Sequence, residues 1–439
     1  MEWNISHYTA VIECDSGGLI LHNSFMGAIA YIPDYLSKDI LRFLNNGGTE
    51  LDFNNRFFKE LCDEGFFVPS NIDEQKLVSE ILYKERELNF FYITILPHED
   101  CNFRCTYCYE DFKHGKMNYE IINGIKAFID HKTKEYRGLN VSWFGGEPLL
   151  AKDVIYELSA SFIDSCECSG ISYSSGISTN GYFLTPDVVD SLLQCKVTRF
   201  QVTLDGPEII HDSMRKLAAG GKTYRRILNN LREMHRRKDD FSVRIRVNFN
   251  DISLPLMKQF FSEITCYLEG DTRFFMYFRP IGKWGSVNDS NLSVCDSSYA
   301  RLAMVELIKE HMNFGFSDKI VKESLAPHGN VCYASKESHI VVGSNGTVYK
   351  CTIAFQDPRN HVGKITKDGE LLIDQSRWNL WVKLDGIDIS KCISCSFSPS
   401  CQSRKCPMIA MDFKKPVCPM TKLEYESMVK LIVSNKRSN

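Results

Sequence analysis

The chain has no long apolar run. Nowhere do its 439 residues approach the roughly 20 consecutive apolar side chains that cross a bilayer, so no membrane partner is expected. It also lacks a basic region followed by an apolar stretch at its N-terminus, "MEWNISHYTAVIECDSGG", which argues against a secretory signal and for a cytoplasmic protein. Charge of one sign is missing as well: 52 Lys and Arg against 55 Asp and Glu leave a net charge of -3. Without a basic excess, no nucleic-acid partner is expected, although "MHRRK" at Met234–Lys238 is a local basic cluster. Internal repeats and low-complexity tracts are absent.

Cysteine, by contrast, is plentiful. A reducing compartment makes a disulfide framework an unsuitable explanation for 17 of them, and ten fall into tight spacings that suit metal ligation. The other seven, Cys14, Cys62, Cys166, Cys168, Cys195, Cys266 and Cys295, read as packed or idle thiols.

A chain of this length with 44% hydrophobic residues suffices for two or three packed domains. Residues 1–85 read as short strands ("YTAVIE", "GLILHN"), helices near "DYLSKDILRFLNN" and "NNRFFKELCDEG", a closing "FFVP", and a linker helix from Asp73 to about Leu88. Gly65 supplies the stop of the second helix. Residues 86–310 alternate strand and helix: "FYITILPHE", "YEIINGIKAFIDHKTKEY", "LNVSWFGGEP", "DVIYELSASFIDSC", "GISTNG", "TPDVVDSLLQC", "VTRFQVTLDGP", "YRRILNNLREMHRRK" and "SVRIRVNFND". Such alternation implies an α/β fold with a parallel sheet, whose working groups sit beyond the carboxyl ends of the strands. Residues 311–439 show little periodicity and are dominated by cysteine.

Cys101, Cys105 and Cys108 form C-x3-C-x2-C directly after the first strand of the alternating region. Three thiolates suit a zinc ion with an external ligand or a [4Fe-4S] cluster with one open iron. Tyr107 adds an aromatic wall, and "FGGEP" at Phe144–Pro148 puts a carboxylate on a turn at the next strand end.

This ordered set resembles the radical S-adenosylmethionine (SAM) enzymes. The resemblance implies a partial (β/α)6 barrel, a cluster on the three cysteines, and SAM bound at the open iron. It places Gly145, Gly146 and Glu147 of "GGEP" near the cofactor's amino group, with Glu147 holding it by a charge-assisted hydrogen bond. By the same resemblance Ser178 and Asn180 of "STNG" and Thr203 of "VTLDGP" belong to the cofactor site. Thr203 stands where a ribose-binding serine is usual, and Arg215 is set to meet the cofactor's carboxylate.

The C-terminal cysteines resemble the SPASM pattern, which carries two auxiliary [4Fe-4S] clusters and makes three in all. The pattern assigns Cys392, Cys395, Cys401 and Cys418 to an outer cluster, and Cys332, Cys351 and Cys406 to an inner one. Four residues separate Cys401 from Cys406 where three are usual, which predicts a bulged turn. Spacing alone leaves a pair of zinc knuckles open.

SPASM relatives mostly modify peptides, and residues 1–85 resemble the winged-helix element with which peptide maturases bind the leader of a ribosomally made precursor by strand addition. The function implied is an oxidoreductase that uses a 5'-deoxyadenosyl radical to install a carbon–carbon, ether or thioether cross-link in that peptide. An electron donor such as flavodoxin or ferredoxin would serve it. The alternative is a sulfatase-type formylglycine maturase. Against it stand Thr352, where that branch has a basic aspartate, and Glu110, where it tends to have tyrosine. Two other classes are a zinc protein with a winged helix on DNA and an iron–sulfur electron carrier. No base for the reaction stands out, and Asp318 and Glu323 are acidic candidates only.

Overall fold

The computed structural model describes residues 2–14, 17–45, 55–86, 90–268, 270–284 and 289–438. Asn46, Asn54 and Leu88, at the ends of expected helices, lie outside the described residues. Two compact units emerge, one of Met1–Leu88, Asp318–Ser335 and Leu384–Asn439, the other of Asn89–Ser317 and Lys336–Lys383. These units cut across the three consecutive segments expected from sequence.

The larger unit is built on six parallel strands, Phe90–His98, Gly138–Gly145, Ser172–Thr179, Val197–Thr203, Ser242–Phe249 and Phe274–Pro280, each hydrogen-bonded to the next. The apolar run "YITIL" is explained by burial: Ile93, Ile95 and Leu96 are almost fully enclosed, as are Val141 and Trp143 on the neighbouring strand. A strand covered on both faces loses its polar alternation, and each such side chain contributes about 1.5–3 kcal/mol. Helices Tyr119–Lys132, Lys152–Cys168, Pro186–Gln194, Tyr224–His235 and Met257–Leu268 form the crossovers. The first begins where the Asn118 side chain accepts the Ile121 N–H, and the third where Pro186 occupies its first turn.

The sheet extends where the sequence pattern fades. Strand His339–Val342 adds parallel to Phe90–His98, and Thr347–Tyr349, His361–Ile365 and Leu371–Ile373 continue antiparallel. A tight turn at Gly343–Gly346 joins the first two, with Gly343 N–H donating to Thr347 O.

In the smaller unit, Thr9–Glu13, Leu19–Asn23 and Ile29–Ile32 form an antiparallel sheet, and Trp3–Ile5 pairs with Phe67–Pro69. Helices Asp34–Asn45 and Arg56–Asp63 cover a core of Leu21, Ile32, Ile40, Phe43, Phe58 and Phe67. The second helix stops at Gly65, which takes φ +79. Helix Lys422–Ser438 packs on the same sheet, where Tyr425 Oη meets His22 Nδ1, and Ser24 Oγ donates to Ser396 O at 2.5 Å. Among the described residues no helix is long and apolar enough to cross a membrane.

Candidate functional site

The loop leaving strand Phe90–His98 is held before any ligand arrives. Asp100 Oδ1 accepts the Cys101 N–H at 2.7 Å and the Arg104 guanidinium at 3.0 Å. Phe103–Cys105 pairs antiparallel with Arg215–Leu217, so Cys105 lies opposite Arg215. The glycine turn seals the other side. A Cβ on Gly146 would lie 2.5 Å from Asp100 O, and Gly145 takes φ +124 with His98 O in the way of any Cβ, so only glycine permits this approach.

Cys101, Cys105 and Cys108 line one cavity of about 150 Å3 with Tyr107, Gly145, Gly146, Ser178, Asn180, Thr203 and Arg215. The barrel residues among them sit at the carboxyl ends of their strands, where this architecture places its working groups. Burial pushes all three thiols up, Cys101 to about 12, and the Cys108 thiol is raised further by the charges of Cys105, Glu110 and Cys101. Thiols under that pressure are relieved by a bound cation, so the donor set fits an iron–sulfur group. Arg215 carries a fitting signal for the second ligand: its Nε is buried with no hydrogen-bond partner. Among the described residues no three His, Cys, Asp or Glu side chains are gathered at the geometry of a single metal ion.

Glu147 is not part of the lining. Its carboxylate is fully enclosed, with Oε1 accepting from Thr179 Oγ1 at 2.8 Å and Leu149 N–H at 3.0 Å, and Oε2 from Asn180 N–H at 2.8 Å. Burial raises its pKa to about 7 against the pull of those donors. Glu147 therefore fastens the Thr179–Asn180 strand end, its charge adds to the burial that raises the Cys101 thiol, and Asn180 Nδ2 in turn faces Asn102 Oδ1 at 2.7 Å.

Three further residues, Glu110 and Asn248 on the lining and Asp205 outside it, were not assigned a role from sequence. Asp205, two positions after Thr203, is completely buried and accepts from the Tyr107 hydroxyl and from Asn248 N–H and Nδ2. Asn248 is the penultimate residue of the next strand; its signal, a polar residue near the end of "SVRIRVNF", was visible but nonspecific. Glu110 lines both this cavity and an adjoining groove of about 1060 Å3, and its Oε1 has no hydrogen-bond partner. Burial, with the charges of Glu99 and Asp111, raises its pKa to about 8.

In the smaller unit Cys401 is buried, and the charges of Cys395, Cys392 and Cys418 add to the burial that raises its pKa to about 11. Cys392, Cys395 and Cys418 thus lie within electrostatic reach of Cys401. Gln402 and Ser403 both adopt left-handed backbone, which is how the long turn toward Cys406 is accommodated. Cys332 N–H donates to Arg404 O at 2.8 Å in the same unit, while Cys351 belongs to the larger unit, where its charge reaches Tyr109. Asp318 is paired with Lys322 at 2.8 Å and, like Glu323, belongs to the smaller unit.

Residues 95–251 match the model of the radical SAM superfamily, so the chain carries a radical SAM domain. The family implies a [4Fe-4S] cluster and SAM. The chain is 31% identical over 151 residues to GTP 3',8-cyclase of Haemophilus influenzae (strain 86-028NP), covering 32% of this chain and 40% of that protein. It is 23% identical over 348 residues to the serine-type anaerobic sulfatase-maturating enzyme of Bacteroides thetaiotaomicron, covering 70% of this chain and 80% of the relative. In fold it is similar to native anSMEcpe with bound AdoMet and Kp18Cys peptide, with a TM-score of 0.57 at 17% identity over 79% of this chain and 99% of that one. Streptococcus suis SuiB gives a TM-score of 0.50 at 16% identity over 94% of this chain and 97% of that one.

Proposed function

We propose that this chain is a radical SAM peptide maturase that installs an intrapeptide cross-link in a ribosomally made precursor. The observation that carries the reading is the junction of two spaces at the strand ends. The cysteine-lined cavity shares Cys105, Cys108, Tyr109, Glu110 and Ile281 with a groove of about 1060 Å3, large enough for several residues of an extended chain. A cofactor seated in the first space faces a polymer held in the second.

In this reading Cys101, Cys105 and Cys108 hold the first cluster. Arg215 offers its unpaired Nε to the cofactor's carboxylate, and Ser178, Asn180 and Thr203 bind its ribose side. When bound, cluster and SAM supply a 5'-deoxyadenosyl radical that takes a hydrogen atom from an unactivated carbon, and two auxiliary clusters give the electron of an oxidised product somewhere to go. The protein's own part is to position the peptide and to exclude water. Residues 1–85 would hold the leader: their antiparallel sheet has Thr9–Glu13 and Ile29–Ile32 as edge strands, each paired on one side among the described residues, which suits strand addition. A flavodoxin or ferredoxin would deliver the first electron.

The sulfatase-type reading is kept by one observation, the likeness to a sulfatase-maturating enzyme over 80% of that relative. Thr352 after Cys351 weakens it, because a hydroxyl cannot accept a proton at neutral pH. Anaerobic turnover of a candidate precursor peptide separates the two. A cross-link gives a peptide that has lost two hydrogens and is inert to a hydrazide probe, whereas a hydrazide-reactive aldehyde at serine or cysteine would move the assignment to formylglycine formation.

A further inference from the structure

Asp205 belongs to no part of the site described so far, yet it ties four separate segments together. It ends strand Val197–Thr203 by two residues, completely buried. Its Oδ2 accepts the hydroxyl of Tyr107, which stands between Cys105 and Cys108 on the cysteine loop. Its Oδ1 accepts Asn248 N–H at 2.7 Å and Asn248 Nδ2 at 3.0 Å, from the end of the next strand. Arg215, opposite Cys105 on its short ribbon, places Nη1 at 3.9 Å from Asp205 Oδ2 and donates from that nitrogen to the Tyr107 oxygen at 2.7 Å.

The hydrogen-bond inventory of this cluster closes in only one way. Tyr107 has a single hydroxyl proton, which goes to Asp205, and its oxygen then accepts from Arg215 Nη1 and from Asn248 Nδ2 at 3.2 Å. Arg215, which lines the cavity, is left with a buried and unpaired Nε. A guanidinium held by one edge presents a fixed donor direction, and an enclosed unpaired donor calls for an anionic ligand.

We propose that Asp205 is a positioning residue of the cofactor seat: through Tyr107 it orients the loop carrying Cys105 and Cys108, and through Tyr107 and Arg215 together it aims the unpaired Nε at the ligand's carboxylate. The inference rests on the reading of the cavity as a SAM site. Asp205→Asn keeps the size of the side chain but replaces one of its two acceptor oxygens by an amide donor. Either the Tyr107 hydroxyl or the two Asn248 donors then lose their acceptor, and in both cases Arg215 loses its anionic neighbour.

Equilibrium binding of SAM to the iron-reconstituted full chain tests it, with iron content and thermal unfolding measured on the same samples. Asp205→Asn should weaken binding by about tenfold or more, the loss of one charge-assisted contact. Because Asp205 acts through Tyr107, the same substitution made in a Tyr107→Phe background should cost markedly less than it does alone. Asn248→Ala, which removes no charge, should weaken binding in the same direction by about threefold with iron retained, and it serves if Asp205→Asn does not fold. Unchanged affinity in Asp205→Asn or Asn248→Ala would overturn the inference, as would strictly multiplicative effects of Asp205→Asn and Tyr107→Phe. Failure of the unsubstituted, iron-loaded protein to bind SAM is a different result, which removes the reading of the cavity itself and this inference with it.

Discussion

Glu147 shows how far a motif reaches at the scale of one residue. "GGEP" located the strand end correctly, and Gly145 and Gly146 do line the cavity. The Glu147 carboxylate accepts from three nearby donors, and a buried carboxylate depends on such partners. Replacing Glu147 by Gln puts an amide N–H2 against one or more of those donors. We expect Glu147→Gln to lower unfolding free energy by about 1–3 kcal/mol in a denaturant titration. A variant of unchanged stability with lost SAM affinity would instead assign the carboxylate to the ligand. Asp205 and Glu110 were equally visible as letters, but the importance of Asp205 lies in partners 43 and 98 positions away, and that of Glu110 in an Oε1 without one, which no local pattern records.

Secondary structure was legible wherever period and punctuation agreed. The helices expected around "YEIINGIKAFIDHKTKEY" and "YRRILNNLREMHRRK" fold as Tyr119–Lys132 and Tyr224–His235, each ending a few residues early. The strands at Ile29–Ile32 and between His339 and Ile373 were missed, being three to five residues long and therefore too short to show a period. Yet "GSNG" at Gly343–Gly346 carried the asparagine–glycine signal of a hairpin. Two outcomes follow at this scale. Gly146→Ala drives a methyl group to 2.5 Å from Asp100 O, so the cysteine loop has to move and iron retention after reconstitution should fall, measured as iron per chain. Helix Ser297–Asn313 predicts an acid limit. His311 accepts Met276 N–H at 3.2 Å through Nε2 and stacks on Phe316, and burial lowers its pKa from 6.5 to about 3. The unfolded chain therefore binds a proton that the folded one refuses. The stabilisation is complete above pH 6.5 and drains away as pH falls toward 3, so the unfolding midpoint should drop across that window and drop less in His311→Gln.

On the scale of the whole molecule, sequence order and spatial order diverge. Residues 1–85 read as a detachable recognition module, but in the fold their sheet shares a unit with Asp318–Ser335 and Leu384–Asn439. Tyr425 meets His22, and Ser24 donates to Ser396, one residue from Cys395. Contacts between positions about 400 residues apart leave no local trace, which is why the consecutive division looked natural. Deleting residues 1–85 should therefore do more than abolish leader binding: iron should fall below the roughly twelve per chain expected for three clusters, because the support of the outer cysteines goes with the sheet. Full iron in the truncated chain would restore the detachable module.

The central claim is that the cavity of Cys101, Cys105 and Cys108 seats a cluster that splits SAM. Anaerobically reconstituted protein, given dithionite and SAM, should release 5'-deoxyadenosine, and the variant with all three cysteines changed to alanine should release none. Cofactor cleavage by that triple variant, or a colourless unsubstituted protein that carries stoichiometric zinc and no iron, would contradict the account.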